Sequence, residues 1–351
     1  MSNHLIHKAG LFAGLILSLF DSCSSVNTEI DSGKTQTAIL TVQVKQPETV
    51  GKQAVCLRGS ETFSEDTIDD LHVLIYSSDG TLVGHSYGEG SSVSVSTRSG
   101  DNCTVYALVN TGDESFVSDN DLLEFDNLTD LVTPAVTTLA QITSNNNLLM
   151  SGFLDGISIQ AGSSMLEESL VVSRLLARVR INLTGDGVTL EGYKIVDLPA
   201  KSYYTAHPNS SEELASDAVE GNDAVDTSTG SDWFGSGVVS LSGTSASMTY
   251  YQYENRRGGR QTVDSSTGDA SDYTQKETYA PTRATYIELY GVANGTHLVF
   301  RLYPGGNAAN YNIKRNCSYT YNVTLLASGV LVVSQVSIEA WTEIQGGESE
   351  I

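Results

Sequence analysis

Thr37-Ala38-Ile39-Leu40-Thr41-Val42-Gln43-Val44-Lys45 alternates apolar and polar residues, so Ala38, Leu40, Val42 and Val44 fall on one face of an extended strand. Pro47 closes it, and a polar stretch follows to residue 70. The same period of two recurs along the chain. Residues 71–76 are a nearly continuous apolar strand, Ser77-Ser78-Asp79-Gly80 is a hairpin turn with an Asp-Gly signal, and 81–83 return. Further strands are predicted over 91–97, 103–110, 165–183, 188–198, 246–253, 318–326 and 329–344. Residues 284–292 and 296–303 form a hairpin across Ala293-Asn294-Gly295. One helical region is predicted, over 119–142, as two short helices broken at Pro134. Segments 203–235 and 254–280, rich in Ser, Thr, Asp and Gly, are predicted to be long loops. Short strands in both halves, separated by turn signals, predict an all-β protein of two β-sandwiches in tandem with short helices in the first.

The N-terminus is of another kind. Residues 1–22 have a weakly basic start (His4, His7, Lys8) and an apolar run over 11–20 that is too short to span a bilayer. That is the pattern of a cleaved export signal. Cys23 directly after it is the expected acylated first residue of a lipoprotein, the alternative being ordinary secretion with Cys23 incidental. One acyl chain holds a membrane only marginally, so stable attachment needs several. Polar residues 24–36 then form a tether.

The chain of 351 residues is long enough for two domains with separate cores. Its net charge of −23 leaves no basic stripe for phosphates, which excludes nucleic acid as a partner class and suits solubility outside the cell. With Cys23 set aside, Cys56, Cys103 and Cys317 are an odd set without C-x-x-C spacing, and buried free thiols are expected. The six histidines show no metal-ligand spacing, and His72 on a strand is expected to be a packed or hydrogen-bonded ring. No nucleophile elbow or phosphate loop occurs, and Asp69-Asp70 or Glu167-Glu168 on strands would face opposite ways. No catalytic residue, metal or cofactor is therefore assigned. Arg256, Arg257 and Arg260, set among Gly258 and Gly259, are expected at an exposed hairpin tip.

Several segments, taken in order, resemble the fimbrillins, the FimA-like pilins of Bacteroidales. They are Leu71-His72-Val73-Leu74-Ile75-Tyr76 with the Asp79-Gly80 turn, Val105-Tyr106-Ala107-Leu108-Val109-Asn110, Leu149-Met150-Ser151-Gly152 and Arg174-Leu175-Leu176-Ala177-Arg178-Val179. Tyr250-Tyr251-Gln252-Tyr253-Glu254-Asn255, Tyr303-Pro304-Gly305-Gly306-Asn307 and Lys314-Arg315-Asn316-Cys317-Ser318-Tyr319 continue the series. The resemblance implies two transthyretin-like sandwiches, export as a lipoprotein to the outer membrane, cleavage by an arginine-specific protease, and polymerisation by strand exchange into an extracellular fimbria. On that reading 1–22 is the signal, 23–58 the tether and removable first strand, 59–184 the N-terminal sandwich and 185–351 the C-terminal one. The stretch 174–179 would close the first sandwich. Cleavage is placed between Arg58 and Gly59, where the family often reads Thr-Arg-Ala and this chain reads Leu57-Arg58-Gly59.

A sandwich that loses an edge strand presents an apolar groove bordered by unpaired backbone, which another chain's strand can fill. The displaced face is Ala38, Leu40, Val42 and Val44. The donor face is expected to be Val336, Ile338 and Ala340, with Val330 and Val332 upstream. Head-to-tail insertion makes a filament from copies of the chain and related pilins. The alternative is a tip adhesin or carbohydrate-binding surface lipoprotein with a host glycan or protein ligand, for which Tyr250, Tyr251 and Tyr253 are the candidate residues.

Replacing Cys23 by Ala should abolish acylation and move the protein out of the membrane fraction. Unchanged labelling by a fatty-acid probe would rule the lipoprotein reading out.

Overall fold

The computed structural model describes residues 36–46, 65, 67–128, 131–143, 148–205, 233–258 and 273–341; Cys23, Cys56, Arg58 and Gly59 lie outside them. The opening alternation forms strand β1, Thr37–Lys45, with the bounds its pattern predicts. It is followed by β2 (Asp70–Tyr76), β3 (Leu82–Glu89), β4 (Ser92–Arg98), β5 (Gly100–Val109), β6 (Met150–Ile159), β7 (Gly162–Met165), β8 (Leu170–Val171) and β9 (Ser173–Arg174). One sheet runs β3-β2-β5-β6-β9, and the facing one runs β4-β1-β7 with β8 also on β1. Between them lie Ala38, Leu40, Val42 and Val44 of β1, packed with Leu71, Val73, Ile75, Val105, Ala107, Val109 and Met150.

The second sandwich comprises β10 (Leu176–Asp186), β11 (Thr189–Val196), β12 (Leu198–Pro199), β13 (Trp233–Phe234), β14 (Val239–Ser240), β15 (Ser245–Tyr253), β16 (Tyr286–Ala293), β17 (Thr296–Leu302), β18 (Cys317–Leu326) and β19 (Leu331–Ala340). Its sheets run β15-β10-β18-β19 and β14-β11-β16-β17. Val179, Ile181, Leu190, Ile195, Ile287, Leu289, Tyr319 and Tyr321 are among its core residues. The predicted hairpin over 293–295 forms, with β16 and β17 antiparallel.

Three expectations change. Of the stretch 174–179, only Arg174, in β9, pairs within the first sandwich; the rest does not close it. β10 lies between β15 (antiparallel) and β18 (parallel), so the second sandwich begins near residue 176 rather than 185. Alternation marked the strand, but its partners are remote in sequence. Second, the predicted helical region holds only single turns. They are α1 (Phe116–Asp119), a 3-10 turn at Leu122–Glu124 and α2 (Leu139–Ile142). Around Pro134 the backbone bonds instead to the segment after β12: Thr133 N–H to Ser202 O at 2.8 Å and Val136 N–H to Ala200 O at 2.9 Å. Third, residues 256–258 are not an exposed tip. Arg256 is buried, Gly258 N–H donates to Asn312 Oδ1 at 2.6 Å, and Tyr311 N–H donates to Gly258 O. Arg260 and Gly259 lie outside the described residues.

Residues that carried the family resemblance have structural work. Asn110, at φ 61°, ends β5 in the left-handed region; its Oδ1 accepts from Asp69 N–H, and its Nδ2 donates to the Thr67 and Leu148 carbonyls. Gly152 has no room for a side chain: a Cβ there would sit 2.1 Å from the Val171 carbonyl oxygen, where β8 passes β6 to reach β1. Glu254 and Arg315 form a buried ion pair at 2.9 Å.

Asn110→Ala should destabilise the protein by about 2–4 kcal/mol in denaturant unfolding, through stranded polar groups and left-handed strain. Asn110→Gly, which keeps the backbone free, should lose about 1 kcal/mol less. Equal losses would mean that the φ value contributes nothing.

Candidate functional site

The alternating face of β1 is buried: Ala38, Leu40, Val42 and Val44 are each at most 3% exposed. Burial of each of the three larger side chains contributes about 1.5–3 kcal/mol. β1 is not an edge strand, however. It pairs antiparallel with β4 from Thr37↔Arg98 to Gln43↔Ser92. On its other side it pairs parallel with β7 from Ala38↔Gly162 to Thr41↔Met165, then with β8 at Val44↔Leu170 and Lys45↔Val171. Removing it would open a slot lined on both sides by backbone N–H and C=O groups, more costly to leave empty than an edge groove.

The terminal segment forms β19, the edge strand of its sheet, paired only with β18 among the described strands. Opposite β18 residues Leu325, Val323, Tyr321, Tyr319 and Cys317 stand Leu331, Val333, Val336, Ile338 and Ala340. Directly opposite residues share a face. Val336, Ile338 and Ala340 thus lie together as predicted, but Val332 is opposite Thr324 on the other face. A bulge separates the two groups, because Asn322 pairs with Gln335 and Val323 with Val333, leaving Ser334 unpaired. The Ser334 hydroxyl donates to the Asn322 carbonyl at 3.1 Å. The face drawn through Val330, Val332, Val336, Ile338 and Ala340 is therefore broken, and Val330 and Val332 point away from the core. β19 is shallowly docked: Val330, Val332 and Ile338 are 40%, 40% and 41% exposed.

Both strands lead into one buried polar knot that sequence reasoning missed. Arg174, fully buried, donates to Gln46 Oε1 at 2.6 Å, Glu65 O at 3.0 Å, Asn316 Oδ1 at 3.2 Å and Trp341 O at 2.9 Å. The Glu65 carboxylate pairs with Arg178 and accepts from Tyr251 Oη at 2.6 Å and Trp341 Nε1 at 3.0 Å. The Trp341 ring stacks on Tyr251 and lies 4.8 Å from each of the two guanidinium groups. Gln46 directly follows β1, and Trp341 directly follows β19. The signal available in the sequence was a lone Trp at the end of a strand and two arginines four residues apart.

The other candidates are structural. His72 is buried; its Nε2 is 3.0 Å from the Asp113 carbonyl and must carry the proton, so Nδ1 accepts from His85 Nε2 at 3.1 Å. Burial lowers both imidazole pKa values, that of His85 to about 4 with help from His72. Asp70 caps the backbone of Thr111 and Gly112. Tyr250, Tyr251 and Tyr253 are at most 8% exposed, so they offer no ligand-binding face. Cys103 is a buried free thiol whose pKa burial raises, and Cys317 is half-buried. Among the described residues no group of three His, Cys, Asp or Glu could hold a metal, and no helix is long and apolar enough to cross a membrane.

Residues 24–193 match the family model described as major fimbrial subunit protein (FimA), and residues 250–323 match a domain of unknown function (DUF4906). No curated protein sequence matches the chain. Among solved structures, the fold resembles a fimbrilin (FimA) of Porphyromonas gingivalis, at TM-score 0.56 and 15% identity, over 89% of this chain and 99% of that one. It also resembles the tip fimbrial protein Mfa3 of Porphyromonas gingivalis, with C-terminal truncation, at TM-score 0.52 and 14% identity, over 88% of this chain and all of that one.

The bulge makes adjacent valines inequivalent. Val333→Asp should cost the folded chain about 2–3 kcal/mol, since the carboxylate would face Val323 and the core. Val332→Asp should change stability by less than about 0.5 kcal/mol. Equal losses by denaturant unfolding would show that β19 is not held in this register.

Proposed function

We propose, because residues 24–193 match the FimA major fimbrial subunit family model, that the protein is a structural subunit of a cell-surface fimbria that supports adhesion. It is exported as a lipoprotein acylated at Cys23, cut between Arg58 and Gly59 by an arginine-specific protease, and polymerised by donor-strand exchange. The lipidated precursor resides in the outer membrane and the mature subunit in the extracellular filament, with copies of the chain and related pilins as partners.

The observation that carries this reading is the position of β1. It supplies one whole row of the N-terminal core and is paired on both sides. Yet it is separated from the next strand by a polar stretch containing Arg58, the only arginine before Arg98. One cut there leaves β1 held by non-covalent forces alone. A strand that re-forms both ladders and refills the pockets of Leu40, Val42 and Val44 restores what was lost. β19 is suited to donate, being alternating, at an edge and shallowly docked. Insertion is head-to-tail and does not close on itself, so it propagates. Among the described residues no face favours the alternative of a glycan-binding tip adhesin, given the burial of the three tyrosines.

Treated with an arginine-specific protease, the purified wild-type chain should form ladders that resist denaturing gels. Arg58→Ala should stay a monomer that cannot accept a strand. Ile338→Asp, at a half-exposed position, should fold and be cut but be unable to donate, because its carboxylate would be buried unpaired in the slot at a cost on the order of several kcal/mol. Ladders of wild-type intensity from Ile338→Asp would exclude the C-terminal strand as donor.

A further inference from the structure

The knot around Arg174 joins two elements that do not pair with each other. From β1 it takes Gln46, whose side-chain oxygen is 2.6 Å from Nη2 of Arg174. From the end of β19 it takes Trp341. That residue gives its carbonyl to Arg174, its indole N–H to Glu65 and its ring to the two guanidinium groups, and its N–H donates to the Asn316 carbonyl at 2.8 Å. Asn316, at φ 52°, in turn accepts from Arg174 through Oδ1.

A guanidinium withdrawn from water is stable only while its N–H groups have acceptors. The Gln46 oxygen is one of those acceptors, and it is present only while β1 is docked. Trp341 is held by the same guanidinium. We propose that Arg174, with Glu65, is a latch that couples the two strands: docked β1 keeps Arg174 in the position that clamps Trp341, and loss of β1 frees the end of β19. The purpose of such a latch rests on the strand-exchange reading, since it would release a donor strand only from a subunit whose acceptor slot has opened. The coupling itself does not depend on that reading. It also gives a reason for Trp341 to be buried to 2% exposure, while the strand leading to it ends in exposed Ile338, Glu339 and Ala340. The strand is fastened at its tip rather than along its length.

Energetic coupling between two sites is reciprocal, and this makes the latch testable on the full, uncut chain. Backbone hydrogen exchange followed by mass spectrometry should show residues 331–341 exchanging about tenfold faster in Gln46→Ala than in wild type. Residues 37–45 should exchange about tenfold faster in Trp341→Ala. The β16–β17 hairpin should be unchanged in both. In an Arg174→Met background, Gln46→Ala should add no further effect on 331–341. Gln46→Ala leaving 331–341 at the wild-type rate would overturn the proposal, as would a full effect persisting without Arg174. If Arg174→Met does not fold, the two single variants still decide. Intact coupling with no protease-induced ladders would sink strand exchange and leave the latch standing; ladders without coupling would do the reverse.

Discussion

A strand hydrogen-bonded on both sides is the constraint from which the rest of this molecule follows. β1 completes a sheet rather than bordering it, with β4 on one flank and β7 and β8 on the other. Its removal would unpair two ladders and expose one face of a core that includes Val73, Ile75, Val105 and Ala107. Backbone groups left bare in an apolar slot are costly, and the cost disappears only when another extended chain enters. A slot of this kind is selective for strands, since only an extended backbone meets both flanks while delivering side chains at a period of two.

β18 and β19 show the complementary condition. β18 is locked between β10 and β19, and its Tyr319, Tyr321, Val323 and Leu325 are core residues. β19 rests on it with one bulge and one well-buried anchor, Trp341. The bulge at Ser334 shifts the alternation by one residue, so in its own sheet the inward row is Leu331, Val333, Val336, Ile338 and Ala340. An unbulged β19 would align Val330, Val332, Val336, Ile338 and Ala340 instead. The strand thus has two faces it can offer, selected by whether one residue is looped out.

The residues shared with fimbrillins are mostly joints of the fold rather than contact points for a ligand. Asn110 caps a strand, Gly152 makes way for β8, Glu254 and Arg315 pair in the interior, and Asn316 and Arg174 meet in the knot between the two sandwiches. The tyrosines that invited a carbohydrate-binding reading fill the interior, Tyr250 in the second core and Tyr251 and Tyr253 in the apolar cluster that includes Trp341 and Leu74.

What the sequence determined by itself was local. Alternation depends only on which side of a pleated strand each residue faces, so residues 37–45 and their buried row were legible to the residue, and the hairpin turning at Asn294-Gly295 was legible to within about two residues. What only the tertiary structure decided was neighbourhood. A period of two is silent about which strands flank a given one, so β1 could be read as an edge and β10 as the close of the wrong sandwich. A bulge adds a residue without marking the pattern, which hid the shift in the alternation of β19. Helical spacing around Pro134 lost to hydrogen bonds from the segment after β12, and the meeting of Gln46, Glu65, Arg174 and Trp341 needed four distant parts of the chain to fold together. Pairing and burial of charge are settled by non-local contacts, and those exist only once the two sandwiches have formed.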